Sequence, residues 1–416
     1  MQSELTESVQ QSIRPGEMCD VYYAGETNTT KQAYPCIVNT RFVQQLTSLG
    51  AGSSQFVISP NQGISDIVLQ LTFPAPTTAD ANLALPLGWG YNMINRLSVR
   101  YGSSAQYFWT GQQMLLANLS EAENATKRDQ ILQQGGQNAI GSAAMSGQNA
   151  YVYLKLPHNS CRASGKPLPF PSDLLVQPIV ITLELFAPQS VIFVGTTGNA
   201  NNFPASLAAG QLQVKQEMLT DSSDLLARRV DMNQSAYTLP LLHFAQQEVQ
   251  VPLVSGGAAP YAQSCNLTGF RAGEVKSILL WLTPTTVVPG QALNWPNMSQ
   301  ITLTYNGEVF SRFDAQSNQL WNLISDEKSS SVTTQVLTVA APPTAAASVG
   351  YWTELPFSQV NVAWDRESKL MHGKPILNAV VNLTFNCPDA SAYTLHAVYN
   401  YNASLLCSRG SAEYIF

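Results

Sequence analysis

From Phe56 onward the apolar positions fall two apart. Ile67, Leu69, Leu71 and Phe73 form one row, with Val68, Gln70 and Thr72 between them, until Pro74 and Pro76 stop the run. Proline lacks the N–H that a central ladder needs. Val152, Leu154 and Leu156 interleave with Tyr151, Tyr153 and Lys155, and Ile179, Ile181, Leu183 and Leu185 with Val180, Thr182 and Glu184. This period predicts half-buried strands. After Glu248 the alternation returns with Val249, Val251 and Leu253.

Four stretches break the period. Thr110 to Gln134 has no proline, places Met114, Leu115, Leu119, Ala122 and Ala125 near helical spacing, and ends at Gly135-Gly136. One or two helices are expected there. The small, polar NAIGSAAMSGQNA that follows is expected to be a loop. At the N-terminus Leu5, Val9 and Ile13 fall four apart, which predicts a short helix ended by Arg14-Pro15-Gly16. Residues 216–236 gain charge and read as a connector.

The two sides of that connector echo each other. INRLSVRYGSSAQYFWTG, Ile94 to Gly111, is answered by MSQITLTYNGEVFSRFD, Met298 to Asp314. Leu97, Val99 and Tyr101 align with Ile301, Leu303 and Tyr305, and Gly102 with Asn306-Gly307. GISDIVLQLTFPAP, Gly63 to Pro76, is echoed by GEVKSILLWLTPTTVVPG, Gly273 to Gly290, VITLEL matches VVNLTF, and the helical block is answered by NQLWNLISDEK. Leu156-Pro157 pairs with Leu355-Pro356, and Lys166-Pro167 with Lys374-Pro375. The constant order predicts an internal duplication. Each unit has about eight strands and long connections, which favours an all-β architecture of two tandem antiparallel jelly rolls with short helices in the loops. The predicted division is an arm over 1–40, a first roll over 41–215, a linker over 216–236 and a second roll over 237–416.

Composition narrows the function. Only 12% of the 416 residues are charged, against 45% hydrophobic. That share of charge is about half the usual one. It suits either an exposed surface that is polar but uncharged, rich in Gln, Asn, Ser and Thr, or a surface covered by neighbours. The net charge is −6 and no run of Lys/Arg is longer than the pair Arg228-Arg229, so direct nucleic-acid binding is not expected. The six cysteines are scattered and read as reduced thiols. Neither a signal peptide nor a membrane-length apolar run is expected.

Reactive constellations are missing. His158, His243, His372 and His396 stand far apart, without metal-ligand spacing. No phosphate-binding loop or nucleophile turn occurs. Trp364-Asp365-Arg366-Glu367 reads as a solvated turn rather than a carboxylate pair for glycoside hydrolysis. Asn-x-Ser/Thr sequons begin at Asn28, Asn118, Asn124, Asn233, Asn266, Asn297, Asn382 and Asn402, and are expected to be unused. No catalytic, cofactor-binding or metal-binding residue is assigned, and no enzyme activity is expected.

Three stretches carry a family resemblance. GYNMINRLSVRYGSSAQYFWTGQQML resembles a "strand, glycine turn, Thr-Gly, helix" segment. LPHNSCRASGKPLPFPSDLLVQPIVITLEL resembles a second signature, with His158-Asn159 where an aromatic pair is usual. RRVDMNQSAYTLPLLHFAQQEVQVPL resembles the linker into a second roll. Together they are similar to the double jelly-roll major capsid proteins of tailless icosahedral double-stranded DNA viruses, the lineage of adenovirus and the nucleocytoplasmic large DNA viruses. The resemblance implies a structural protein of the virion capsid, made in the host cytoplasm or nucleus. It implies homotrimers, pseudo-hexameric in outline, that meet neighbouring capsomers, penton and minor or cement proteins, over an inner viral membrane. It also implies that Leu5, Val9 and Ile13, with Tyr414, Ile415 and Phe416, lie at the lattice or membrane-proximal face. The alternatives are an extracellular carbohydrate-binding sandwich, such as a lectin or adhesin, and a sandwich-fold glycoside hydrolase.

Overall fold

The computed structural model describes residues 36–58, 63–122, 125–156, 162–163, 166–167, 170–172, 175–219, 237–251, 260–268, 274–285, 296, 298–305, 308–314, 335–339, 348–356, 374–375, 379–386, 392–408 and 411–415. The first half runs through β1 (Cys36–Gln45), β2 (Gly52–Ile58), β3 (Gly63–Thr72), β4 (Leu83–Leu85), β5 (Ile94–Tyr101), β6 (Tyr107–Trp109), β7 (Ala139–Ile140) and β8 (Asn149–Tyr153). It continues through β9 (Arg162–Ala163), β10 (Lys166–Pro167), β11 (Phe170–Pro171), β12 (Ile179–Leu185), β13 (Phe193–Val194) and β14 (Ala209–Leu219). Four helices interrupt it: α1 (Trp89–Asn92), α2 (Gly111–Glu121), α3 (Ala125–Gln134) and α4 (Ser142–Met145). The second half has β15 (Tyr237–Val251), β16 (Pro260–Leu267), β17 (Glu274–Pro284), β18 (Met298–Tyr305), β19 (Glu308–Asp314), β20 (Gln335–Val339), β21 (Ser348–Pro356), β22 (Lys374–Pro375), β23 (Ala379–Asn386), β24 (Tyr393–Ser408) and β25 (Ser411–Ile415).

Each half is a sandwich of two antiparallel sheets. In the first, β1, β14, β3 and β8 lie side by side, and β2, β12, β5 and β6 form the opposing sheet. In the second the orders are β15, β24, β17, β21 and β16, β23, β18, β19. The two lists correspond strand for strand. This is the jelly-roll winding, written twice.

Two pairs of irregularities correspond too, although the shifts in the β1–β14 and β18–β19 ladders have no counterpart. The β3–β14 ladder skips Ser65, and the β17–β24 ladder skips Lys276. The β5–β12 ladder skips Asn95, and the β18–β23 ladder skips Ser299. A bulge bends its strand and turns the side chains beyond it. Two of them at matching places give both halves the same curvature. The repeated hairpin keeps its register: Leu97 faces Leu183 and Trp109, while Ile301 faces Leu383 and Phe313.

Two echoes align differently in space. Leu355 lies opposite Ile278, and its counterpart is Leu154, whose N–H donates to the carbonyl of Ile67, rather than Leu156. Lys374-Pro375 pairs with the start of β17 as Phe170-Pro171 pairs with the start of β3. Lys166-Pro167 is instead one arm of a separate two-stranded ribbon. Proline content made these segments look alike. Strand β15 also starts at Tyr237, well before Glu248. Pro240 is accommodated because β15 is an edge strand that pairs only with β24 among the main strands. Strand β14 runs on to Leu219 and β1 begins at Cys36. Asn306-Gly307, Asn318–Lys328 and residues 1–14 lie outside the described residues.

The inward rows make the cores. Leu97, Val99, Tyr101, Ile181 and Leu183 are fully buried, as are Leu303 and Val381 in the second roll. Helix α2 starts on a capping box: Thr110 Oγ1 accepts from the Gln113 N–H at 3.3 Å, and Gln113 Oε1 accepts from the Thr110 N–H at 2.9 Å. At Gly111 a Cβ would run into the carbonyl oxygen of Tyr91, so the Thr-Gly pair is a cap followed by a close backbone approach. Farther along α2, Asn118 donates to Tyr91 Oη at 3.1 Å and to the Tyr153 carbonyl at 3.0 Å. It is buried, so this sequon faces the interior. Burial pushes the Tyr91 hydroxyl up to about 12. The stretch expected to be a loop contains β7, which pairs with β4, and the single turn α4.

Candidate assembly interface

The centre of the outward face of the β15-β24-β17-β21 sheet is dry, while Gln246 and Glu248 on its β15 edge are exposed. Across it run Glu248, His396, Trp281 and Trp352 in one row and Gln246, Val398, Leu279 and Glu354 in the next. Trp281, Trp352, Leu279 and Val398 are each at most 2% exposed. They point away from the second roll's own core and join the hydrophobic cluster of the first roll. The strand run ILLWL explains this: it is apolar on both faces, so both faces need cover.

Strand β6 and the start of α2 lie along this seam. The Trp109 and Phe244 rings are 4.2 Å apart, and Tyr107 and Phe244 are 6.1 Å apart. Gln113 Nε2 donates to Gln246 Oε1. Below them the Ala412 N–H donates to Ser103 Oγ at 3.0 Å, so the last strand is tied to the first roll's hairpin turn. A cleft of about 770 Å³ opens there, lined by Tyr107, Phe108, Phe244, Gln246, Glu413 and Tyr414 among others.

His396 sits near the edge of the seam, stacked on Trp281 at 4.9 Å. Its Nε2 lies 2.7 Å from Thr283 Oγ1, and its Nδ1 lies 3.3 Å from Glu248 Oε1. Burial holds its pKa below the ordinary histidine value, while Glu248 pulls the other way.

The bulges fix which residues of the first roll occupy the same places. Gln211, Gln70 and Tyr151 form the row matching His396, Trp281 and Trp352, and Gln213, Val68 and Tyr153 the row matching Val398, Leu279 and Glu354. This face is polar. Gln70 Oε1 accepts from Gln211 Nε2 at 2.5 Å and Gln213 Nε2 at 3.1 Å. Asp66 accepts from Tyr153 Oη at 3.0 Å and pairs with Lys215 Nζ at 3.5 Å. Tyr151 is 44% exposed.

No protein-family model and no curated protein sequence matches the chain. Solved structures do match. PBCV-1 VP54, fitted into a cryo-EM reconstruction of the virophage Sputnik, superposes with a TM-score of 0.66 at 12% identity, over 94% of this chain and 99% of that one. The Faustovirus major capsid protein gives 0.56 at 8% identity, over 96% and 98%. The mavirus major capsid protein gives 0.51 at 12% identity, over 94% and 92%. The fold is the double jelly roll. In this double jelly roll the strand order is shared while nearly all side chains differ, as the low identities require.

Of the six residues expected at the lattice or membrane-proximal face, two fall within the described residues. Tyr414 is partly buried in β25 and packs against the seam cluster, and its hydroxyl is pushed well above the usual tyrosine range by burial. Ile415 pairs with Ser404 at the edge of the same sheet. Leu5, Val9, Ile13 and Phe416 lie outside, as do His158, His372 and the Trp364–Glu367 cluster. Among the described residues no three His, Cys, Asp or Glu side chains gather as a metal site, and no helix is long and apolar enough to cross a membrane. Cys265 and Cys407 are free and buried, and burial raises their thiols to about 11 and about 12. The seam residues Phe244, Trp281 and Trp352 were not singled out from the sequence, although the two-sided apolar run of β17 signals Trp281.

Proposed function

We propose that this chain is a structural major capsid protein, not an enzyme, and that it tiles an icosahedral viral shell. One observation carries the reading: two sandwiches with the same strand order and two pairs of matching bulges stand side by side in one chain. Three such chains place six sandwiches around an axis, a six-cornered tile built with threefold symmetry. The length-wide likeness in fold to major capsid proteins supports the same reading. So does the second roll's other sheet, where the ladder row Ser264, Asn382 and Thr302 is uncharged until it reaches Arg312 on the edge strand β19. Interfaces are depleted in charge.

In this reading the partners are two further copies, neighbouring capsomers, penton and minor or cement proteins, and an inner viral membrane. The protein is made in the host cytoplasm or nucleus and resides in the virion. Within each roll the first strand begins beside the end of the last, Cys36 opposite Leu219 and Tyr237 opposite Cys407. The described chain therefore enters and leaves each roll at one end of these strands, at Cys36 and Leu219 in the first and at Tyr237 and Cys407 in the second. We assign that end to the shell interior, with Leu5, Val9, Ile13, Tyr414, Ile415 and Phe416 at or near its contacts. Size-exclusion chromatography with light scattering is expected to give three times the 45.1 kDa chain mass. Electron microscopy of concentrated protein should give hexagonal arrays of three-lobed towers. Monomers at every concentration, without arrays, would overturn the reading.

A further inference from the structure

We propose that the outward face of the first roll's β1-β14-β3-β8 sheet is the surface on which the second roll of a neighbouring copy of this chain docks. The inference rests on the trimer reading above and names the face that reading leaves open.

Six sandwiches around one axis make six contacts. Three of them are the seams inside the chains. In each seam the second roll offers its β15-β24-β17-β21 face, and the first roll brings up β6 and the start of α2. A ring that closes evenly uses the same pair of surfaces at the other three contacts. The first roll must then offer its own corresponding face, and the next chain's second roll must bring up β19, the counterpart of β6. The register agrees: Phe313 pairs with Ile301 as Trp109 pairs with Leu97.

The chemistry of the two faces fits their different histories. The seam forms within one chain as it folds, so Trp281 and Trp352 need never meet water for long. The first-roll face must stay wetted until another chain arrives. Tyr151 stands where Trp352 does, keeping an aromatic ring with a polar tip. Gln70 stands where Trp281 does and holds two neighbouring glutamines in a ladder. The Asp66–Lys215 pair balances its own charge. Such a face suits a reversible, water-bridged contact between copies rather than a second dry core.

The test uses the full chain. Gln70→Arg places a cation at the centre of the face and is expected to convert trimers to folded monomers with an unchanged melting curve. Asn138→Arg, on an exposed connection, is the control and is expected to remain trimeric. A second variant guards against misfolding of the first. The thiol introduced by Tyr151→Cys should be shielded from a bulky maleimide in the trimer, and should react at least tenfold faster in protein diluted to monomers. A stable Gln70→Arg trimer, or equal reactivity at residue 151 in trimer and monomer, overturns the docking face and leaves the capsid reading standing. An unsubstituted chain that never trimerises overturns both.

Discussion

The two rolls differ most where their backbones agree best. Strand β3 reads IVLQL and strand β17 reads ILLWL over matching positions. A glutamine in one and a tryptophan in the other decide whether a face stays wet or becomes core. Winding, bulges and inward rows are common to both. The outer residues set what each roll touches. The fold can therefore be copied as a unit while its contacts diverge one side chain at a time.

That comparison can be broken most directly at Trp281. Trp281→Ala removes a buried ring from the seam and is expected to cost about 3–5 kcal/mol in urea unfolding. Gln70→Ala, at the corresponding place in the first roll, should change stability by less than about 0.5 kcal/mol in the monomer. Equal costs would mean that the two faces are not the wet and dry versions of one surface. A smaller effect is expected at Gly111. The sequence places Ala315 two residues after Phe313, as Gly111 follows Trp109, so Gly111→Ala writes the second roll's residue into the first. The collision with the Tyr91 carbonyl should cost about 1–3 kcal/mol, read as a lowered melting temperature. Neutrality there would show that the helix start is interchangeable between rolls.

The smallest expected effect is a pH dependence at the seam edge. The pKa of His396 is lowered in the folded chain, so the unfolded chain takes up the proton first as pH falls. Its contribution is intact above the ordinary histidine value of about 6.5 and declines as pH drops from there toward the folded value. The urea midpoint should hold between pH 8 and 7 and fall between 6.5 and 5, with a shallower fall in His396→Gln. A midpoint that rises on acidification would reverse the assignment.

Much of the fold was legible in the alternation of side chains. Ile67, Leu69 and Leu71, and Ile179 through Leu185, point where their period says, and Thr110 begins the helix its spacing predicts. Strand β15 was cut short because the alternation is plain only from Glu248, and only the sheet order shows that an edge strand takes in Pro240. The bulges at Ser65, Lys276, Asn95 and Ser299 carry no residue-type signal, since they are properties of the ladder rather than of any side chain. The seam was half legible. Burial on both sides of β17 is written in ILLWL, but its partner, β6 with the start of α2, is chosen by tertiary packing.

The tie between Ala412 and Ser103 spans most of the chain and sets a clock. A ribosome adding about 5–20 residues per second needs roughly 15–60 s to go from one to the other. Through that interval the first roll can fold, while Tyr107 and Trp109 wait first for Phe244 of β15 and the turn at Ser103 waits last for β25. During synthesis the surface most exposed to mispairing with another nascent chain is therefore the one that ends up driest.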